Sequence, residues 1–150
     1  MLPQSNAMRT LAMAAGVIGL AAAAAWMGLA HGCEQGGGTL AGRVTVAPEL
    51  LSKIGPNDVL FVIVRRPQGM PRPLAVKRVD HPQFPFTFEI TGQDVMTQGI
   101  ELRGMVTVLA RLDKDGQAGP PQPGDLEGQF DKNPTPVGTK DVEIVINKEY

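Results

Sequence analysis

The sequence has little of the chemistry that covalent cross-links, metal cages or hydrolytic sites require. Cys33 is its only cysteine, and His31 and His81 are its only histidines. A single cysteine excludes a disulfide framework and any cysteine-based metal cage within one chain. A catalytic nucleophile needs a base within hydrogen-bond reach, and after Cys33 the only histidine is His81, next to a proline. We therefore predict that the protein is not an enzyme, with no catalytic residue and no cofactor.

An excess of charge of one sign is also missing from the larger part of the chain. The sequence has 14 basic and 15 acidic residues, for a net charge of −1. Only Arg9 precedes Cys33, so 13 basic residues face all 15 acidic residues in the part that follows. A nearly neutral domain has no global attraction for nucleic acid. We predict no nucleic-acid partner.

The N-terminal segment differs from the rest in composition. Leu11–Ala30 is an uncharged run of 20 residues, rich in alanine and glycine, and Arg9 precedes it. Residues 29–33, LAHGC, resemble a bacterial lipobox that ends in Cys33. Two interpretations stay open: a signal peptide removed before a lipidated Cys33, or an uncleaved anchor helix. Both attach the protein to a membrane of the cell envelope, with the domain facing the periplasm.

Three regions follow from this composition. Residues 1–33 form the signal peptide or anchor, residues 34–38 a glycine-rich tether, and residues 39–150 one folded domain.

After the tether, the hydrophobic pattern predicts strands. Val59–Val64 is a continuous apolar run with β-branched and aromatic residues, which indicates a central buried strand. Leu74–Val79 follows two prolines and is predicted to be an edge strand. The other predicted strands are Leu40–Val46, Phe84–Ile90, Arg103–Leu112, a short one at Ala118–Pro120, and Asp141–Asn147. About seven short strands without a long helix predict an all-β fold, an antiparallel β-sandwich.

Basic residues crowd around the predicted edge strand and form a candidate binding edge. An anion-binding rim suits the planar guanidinium group of arginine. Alternatively, charge and proline protect a sheet edge against aggregation. The edge is in either case a candidate docking site for an added peptide strand. The members of this candidate edge are Arg65, Arg66, Arg72, Lys77 and Arg78.

The proline- and glycine-rich stretch from Asp113 to Asp141 is long for a connection in a compact domain. It either hides a short strand or forms a binding or wrapping loop. The DKDG sequence that begins at Asp113 lacks the spacing of a calcium-binding EF-hand and predicts a hairpin turn. The candidate binding loop comprises Pro123, Gly124, Asp125 and Leu126.

Copper binding is the remaining metal alternative. Blue-copper sandwiches need a cysteine and two histidines near the end of the chain, and these are missing. Met70, His81 and Met96 have the ligand types of a weak Cu(I) site, which stays open, although we predict no metal.

Five motifs occur in a specific order along the chain. They are LFVIVR at residues 60–65, MPRPLAVKR at 70–78, FPFTF at 84–88, VTVLAR at 106–111 and PGDLEG at 123–128. Together they resemble the C-terminal Ig-like domain of c-type cytochrome biogenesis proteins of the CycH type, also called CcmI.

This resemblance implies an Ig-like sandwich and a non-enzymatic accessory role in cytochrome c maturation. Larger members of the family present apocytochrome c to the haem-ligation machinery, so apocytochrome c and haem-ligation components are the partners it implies. The alternative is a structural or interaction lipoprotein of the cell envelope with no role in cytochrome assembly.

Overall fold

The structure, a computed structural model, describes residues 37–68 and 72–150. The predicted signal or anchor segment, Cys33 and most of the tether lie outside these ranges, as does Met70. Among the described residues, no helix is both long and apolar enough to cross a membrane.

Nine strands are present in the described ranges, and seven of them have four or more residues. Two short 3-10 helices, Pro48–Lys53 and Gly92–Asp94, lie in the connections. Proline at the first helical position and an acidic residue in the first turn favour the earlier helix. The strands are β1 (Leu40–Val46), β2 (Val59–Arg65), β3 (Pro73–Asp80), β4 (Phe86–Ile90), β5 (Met105–Asp113), β6 (Leu126–Gln129), β7 (Thr135–Pro136), β8 (Val142–Ile146) and β9 (Lys148–Glu149).

The strands of the described ranges form two sheets that confirm the predicted β-sandwich. The smaller sheet has the order β4-β1-β8, and the larger sheet has the order β3-β2-β5-β6-β9, with β7 beside β5. β1 and β8 pair in parallel, whereas the other strand pairs are antiparallel. The predicted central strand is β2, which lies between β3 and β5, and the predicted edge strand is β3.

The main core lies between the two sheets. Alternate residues of each strand point to the same side, so the even-numbered residues of β2 and β5 share one buried face. Leu60 and Val62 from the larger sheet join Val44, Ile144 and Ile146 from the smaller sheet in this core, and all five are fully buried. Each buried side chain of this size stabilises the fold by about 1.5–3 kcal/mol.

The two sheets approach each other closely where β6 passes β8. Phe130, just after β6, forms a bridge with Ile144, which links the sheets directly. Gly128 lies at this crossing, and a Cβ atom there would be 2.1 Å from the carbonyl oxygen of Val145. The crossing therefore requires a residue without a side chain.

One predicted strand is wrong. Ala118–Pro120 is an irregular loop, and the strand hidden in this stretch is β6. Pro120 and Pro121 have no backbone N–H to give to a sheet, whereas the residues of β6 pair in register with β5.

Replacing Gly128 by alanine is expected to destabilise the domain. The added methyl group would force β6 and β8 apart, at a cost of about 1–3 kcal/mol or more. Urea denaturation of the purified full chain measures this change. Gly92→Ala is the matched control, because a Cβ atom at Gly92 meets nothing within 4 Å. Equal losses of stability in the two variants would contradict the close approach of the sheets.

Candidate functional site: the outer face of the larger sheet

A second apolar cluster lies on the face of the larger sheet that points away from the main core. Val59, Phe61 and Ile63 of β2 and Leu109 of β5 form it, with Val76 of β3 packed against them. The first four are between 2% and 6% exposed. Because these residues face outward, something other than the second sheet must exclude water from them.

Residues 114–125, which connect β5 to β6, supply part of that cover, and we call them the covering loop. Arg78 donates a 2.6 Å hydrogen bond from Nη1 to the carbonyl oxygen of Gly116, and its guanidinium lies 5.6 Å from the ring centroid of Phe61. A Cβ atom on Gly116 would be 3.3 Å from Val59 Cγ2. Arg111 Nη2 donates a 2.7 Å hydrogen bond to the carbonyl oxygen of Gly119. Two arginines therefore hold this loop against the outer cluster.

Buried carboxylates fix the two ends of the covering loop. Asp125 accepts hydrogen bonds from the backbone N–H groups of Lys114 at 3.0 Å and Gln122 at 2.7 Å. Asp113 Oδ1 accepts from the backbone N–H groups of Asp115 and Gln117, each at 3.2 Å. Hydrogen bonds to charged groups contribute about 1.5–3 kcal/mol each.

The candidate binding loop is divided between structural and exposed positions. Asp125 and Leu126 are buried, and Leu126 belongs to the main core. Pro123 is exposed, and Gly124 has a φ of +95° and donates a 2.8 Å hydrogen bond to the carbonyl oxygen of Tyr150. Binding by this loop stays a prediction, and Pro123 is its most accessible member.

A pocket of about 400 Å³ opens beside the covering loop, and we call it the outer-face pocket. Its buried side includes Ile63 and Arg111, and its exposed side includes Arg72 and Met96. Every lining residue is an arginine, an apolar residue or glycine. The residues that line it are Ile63, Arg65, Arg72, Pro73, Val76, Met96, Arg111, Ala118, Gly119 and Pro120.

The candidate binding edge separates into paired and unpaired cations. Lys77 Nζ lies 3.3 Å from Asp94 Oδ1, and Arg78 Nη2 lies 2.8 Å from Asp80 Oδ1. Arg65, Arg66 and Arg72 form no salt bridge with any acidic residue of the described ranges. The latter three are grouped near the end of β2 and the start of β3, which leaves a locally positive surface there.

The start of the β3 edge is already occupied. Ala75 forms an antiparallel bridge with Val95, and Met96 N–H donates a 3.1 Å hydrogen bond to the carbonyl oxygen of Leu74. An added peptide strand would therefore have to lie nearer the Asp80 end of β3.

Arg111 is a site residue that the sequence analysis did not identify. It is 1% exposed, and its Nε lies 3.6 Å from Oδ2 of Asp113, which is equally buried. Arg111 Nε and Nη1 and Asp113 Oδ2 have no hydrogen-bond partner among the described residues. The available signal was the arginine at an outward position of β5, followed two residues later by an aspartate on the same face.

The possible copper site at Met70, His81 and Met96 stays open. Met70 lies outside the described residues, and His81 Nδ1 is 3.0 Å from the carbonyl oxygen of Pro56. Met96 lines the outer-face pocket. Within residues 37–68 and 72–150, no group of three or more histidine, cysteine, aspartate or glutamate side chains has the geometry to hold a metal ion.

Comparison with known proteins identifies the family. The family model for the cytochrome c-type biogenesis protein H Ig-like domain matches residues 40–147. The chain belongs to this family. The matched residues include the covering loop and every strand of the two sheets except β9.

Two relatives show how far the similarity extends. An uncharacterized protein of Aquifex aeolicus (strain VF5) is 33% identical over 109 residues, which span 73% of this chain and 70% of that protein. The cytochrome c-type biogenesis protein CycH of Pseudomonas aeruginosa is 31% identical over 84 residues, or 55% of this chain and 21% of CycH. The similarity to CycH therefore concerns about a fifth of that protein.

Among solved structures, an alternative pilotin from the type II secretion system of Vibrio cholerae aligns with a TM-score of 0.46. The alignment covers 72% of this chain and 93% of the pilotin, at 17% identity. This score is too low to establish a shared fold.

Asp113 and Asp115 are two carboxyl groups of the Ig-like domain whose pKa values are shifted, and Asp113 is the buried one. Burial raises its pKa above the ordinary value of 3.8, and the hydrogen bond with Asp115 and the negative charge of Asp125 act in the same direction. The backbone N–H of Gln117 opposes them. The hydrogen bond with Asp113 lowers the pKa of Asp115, so Asp113 is the first of the two carboxylates to take up a proton as the pH falls.

This raised pKa predicts a pH-dependent stability. The folded domain keeps the Asp113 proton where the unfolded chain has released it, so stability falls as the pH rises from 3.8 through the folded-state pKa. Asp113→Asn should remove this fall. In urea denaturation, the free energy of unfolding of the variant relative to wild type should therefore increase as the pH rises above 3.8 and level off above the folded-state pKa.

The exposed Asp131, replaced by asparagine, is the control for general charge effects. Because the pKa of Asp115 is lowered from 3.8, its titration changes the stability only below that pH, outside the range of this experiment. A difference between Asp113→Asn and wild type that stays constant across the range would contradict the prediction.

Proposed function

We propose that this protein is a non-enzymatic binding module that acts in cytochrome c maturation. Two findings support a role in cytochrome c maturation: membership of the cytochrome c-type biogenesis protein H Ig-like family, and 31% identity to the CycH protein of Pseudomonas aeruginosa. The role of the whole CycH protein does not follow from this, because the match covers 21% of its length. Apocytochrome c or a component of the haem-ligation machinery is the proposed partner.

The composition of the outer-face pocket is the observation that favours binding over catalysis. Its lining offers guanidinium donors and apolar surface. Arginine holds its proton at any physiological pH and does not act as a general base. The pocket is therefore suited to hold an anionic, partly apolar group, and its own lining supplies neither a nucleophile nor a base.

We also propose that the domain faces the periplasm from a membrane anchor. The support is the uncharged Leu11–Ala30 run and the lipobox-like residues that end in Cys33. The glycine-rich residues 34–38 would then separate the domain from the lipid surface.

Deletion of the gene should lower the amount of haem-stained c-type cytochromes in the host membranes. Wild type supplied in trans should restore it, because the binding module is then present again. A variant carrying Arg65→Gln and Arg72→Gln should restore less than wild type, since it lacks two cations of the pocket. Arg43→Gln, which changes an exposed arginine on the smaller sheet, should restore it fully.

Normal levels of every c-type cytochrome in the deletion strain would remove the proposed function. If crosslinking in membranes then captured only envelope components, with no cytochrome or haem-handling protein, a structural lipoprotein of the envelope would replace it.

The anchor is tested by the mass of the mature N-terminus. If Cys33 is the anchor, the purified protein should begin at Cys33 and carry added acyl mass, and Cys33→Ser should lose that mass and leave the membrane fraction. An anchor helix is favoured instead if the wild-type protein retains residues 1–32 and the Cys33→Ser variant stays in the membrane fraction.

A further inference from the structure

The buried guanidinium of Arg111 is the most unusual polar group of the outer face. Nη2 donates a hydrogen bond to the Gly119 carbonyl oxygen. Nη1 carries two N–H donors and has no acceptor in the described residues. Nε lies 3.6 Å from Asp113 Oδ2, which is too long for a hydrogen bond, and it has no hydrogen-bond partner in the described residues. Buried donors are paired in native proteins because an unpaired donor loses its hydration. The described residues therefore leave these donors of Arg111 without an acceptor, and a ligand in the outer-face pocket, which Arg111 lines, can supply one.

Charge at the rim of the pocket points to an anionic acceptor. Arg65 and Arg72 line the same pocket, and neither forms a salt bridge with an acidic residue of the described chain. Arg65 Nε is also buried without a hydrogen-bond partner. Asp113 offsets the charge of Arg111, but two arginine charges remain. A carboxylate matches guanidinium donors in both charge and geometry.

The pocket also has an apolar side, which indicates a ligand whose carboxylate is attached to an apolar group. Ile63, Val76 and Met96 line it, and Met96 is 61% exposed, which is high for a large apolar side chain. A ligand that covers Met96 would remove this surface from water.

A second pocket continues from the first. It measures about 250 Å³ and shares Arg72 and Pro73 with the outer-face pocket. Ile100, 42% exposed, offers it an apolar contact, and Gln68 and Thr97 offer an amide and a hydroxyl group. The peptide groups of a polypeptide can form hydrogen bonds with this amide and this hydroxyl, whereas an acyl chain has no donor or acceptor for them. Two adjoining pockets of this kind suit an extended polypeptide.

We propose that the two adjoining pockets bind an extended polypeptide segment, with an acidic side chain in the outer-face pocket beside Arg111, Arg65 and Arg72, and apolar neighbours against Val76, Met96 and Ile100. The proposal rests on the proposed function, for which it names the chemistry of the partner segment. The acidic side chain supplies the acceptor that Arg111 Nη1 lacks, after a small displacement of the covering loop near Gly119.

The experiment follows the side-chain Nε–H signals of arginine by NMR in the ¹⁵N-arginine-labelled full chain in detergent. The probe is a tetrapeptide with blocked ends, leucine–glutamate–valine–leucine, and its matched control has glutamine in place of glutamate. The glutamate peptide should shift the signals of Arg111 and Arg65 and leave those of Arg43 and Arg103 unchanged. The glutamine peptide should bind at least about tenfold more weakly, because it lacks the charge-assisted contact.

Variants assign the effect to the pocket. Arg111→Met keeps an apolar stem and should lower the affinity for the glutamate peptide about tenfold or more, since it removes the buried donors. If this variant does not fold, the pair Arg65→Gln with Arg72→Gln decides the question, because neither change removes a described salt bridge. Arg43→Gln, on the smaller sheet, should bind as wild type does.

Several outcomes would overturn the proposal. One is equal binding of the two peptides, and another is an Arg111 signal that neither peptide moves, as expected if water alone satisfies the guanidinium. A third is a shift of the same signals by decanoate or inorganic phosphate at lower concentration than the peptide, which would assign the pocket to a lipid or a free anion. Selective peptide binding together with normal cytochromes in a deletion strain would remove the proposed function and leave this site in place.

Discussion

Strand β2 is buried on both faces, and the rest of the structure is arranged around that burial. Its even-numbered residues face the smaller sheet, and Val59, Phe61 and Ile63 face outward. Leaving these three side chains exposed would lose about 1.5–3 kcal/mol each. The smaller sheet covers one face only, so the chain must supply a second cover. The covering loop and Arg78 provide part of it, and two arginine hydrogen bonds hold this long connection between β5 and β6 in place.

Arg111 and Asp113, which hold the covering loop in place, also form part of the candidate site. Arg111 reaches Gly119 with one nitrogen and leaves the others without acceptors, and Asp113 has an unpartnered oxygen beside it. A buried ion pair with unmet hydrogen bonds is a poor source of stability, because desolvation offsets the attraction between the charges. Arg111 holds the covering loop through Gly119, and we propose that its remaining donors serve binding. The family membership then gives this pocket a biological setting, the maturation of cytochrome c, which we propose as its function.

Local patterns in the sequence predict the framework of the fold and two arginines of the site, Arg65 and Arg72, but not the loop that completes the site. The six apolar residues of β2 and the prolines before β3 each indicate their own structure, because burial and missing N–H groups act within a few residues. The position of the covering loop depends instead on contacts between residues far apart in the sequence. The proline- and glycine-rich stretch predicts a binding role for Asp125, yet its carboxylate accepts hydrogen bonds from backbone N–H groups 11 and 3 residues away. Arg111 lies within the predicted strand Arg103–Leu112, but its burial depends on residues 118–120, whose position no periodicity indicates. The pairing of β1 with β8 in parallel likewise joins segments about 100 residues apart.

Hydrogen exchange of the backbone amides in the full chain tests the double burial of β2 most directly. In wild type, the amides of Val59–Val64 should be among the slowest to exchange, because stable, covered strands open last. In Arg111→Met, exchange should become faster in residues 114–119 and in β2, and should stay unchanged in β1 and β8. Fast exchange of β2 in wild type, or identical rates in the covering loop and β2 of both proteins, would contradict the account.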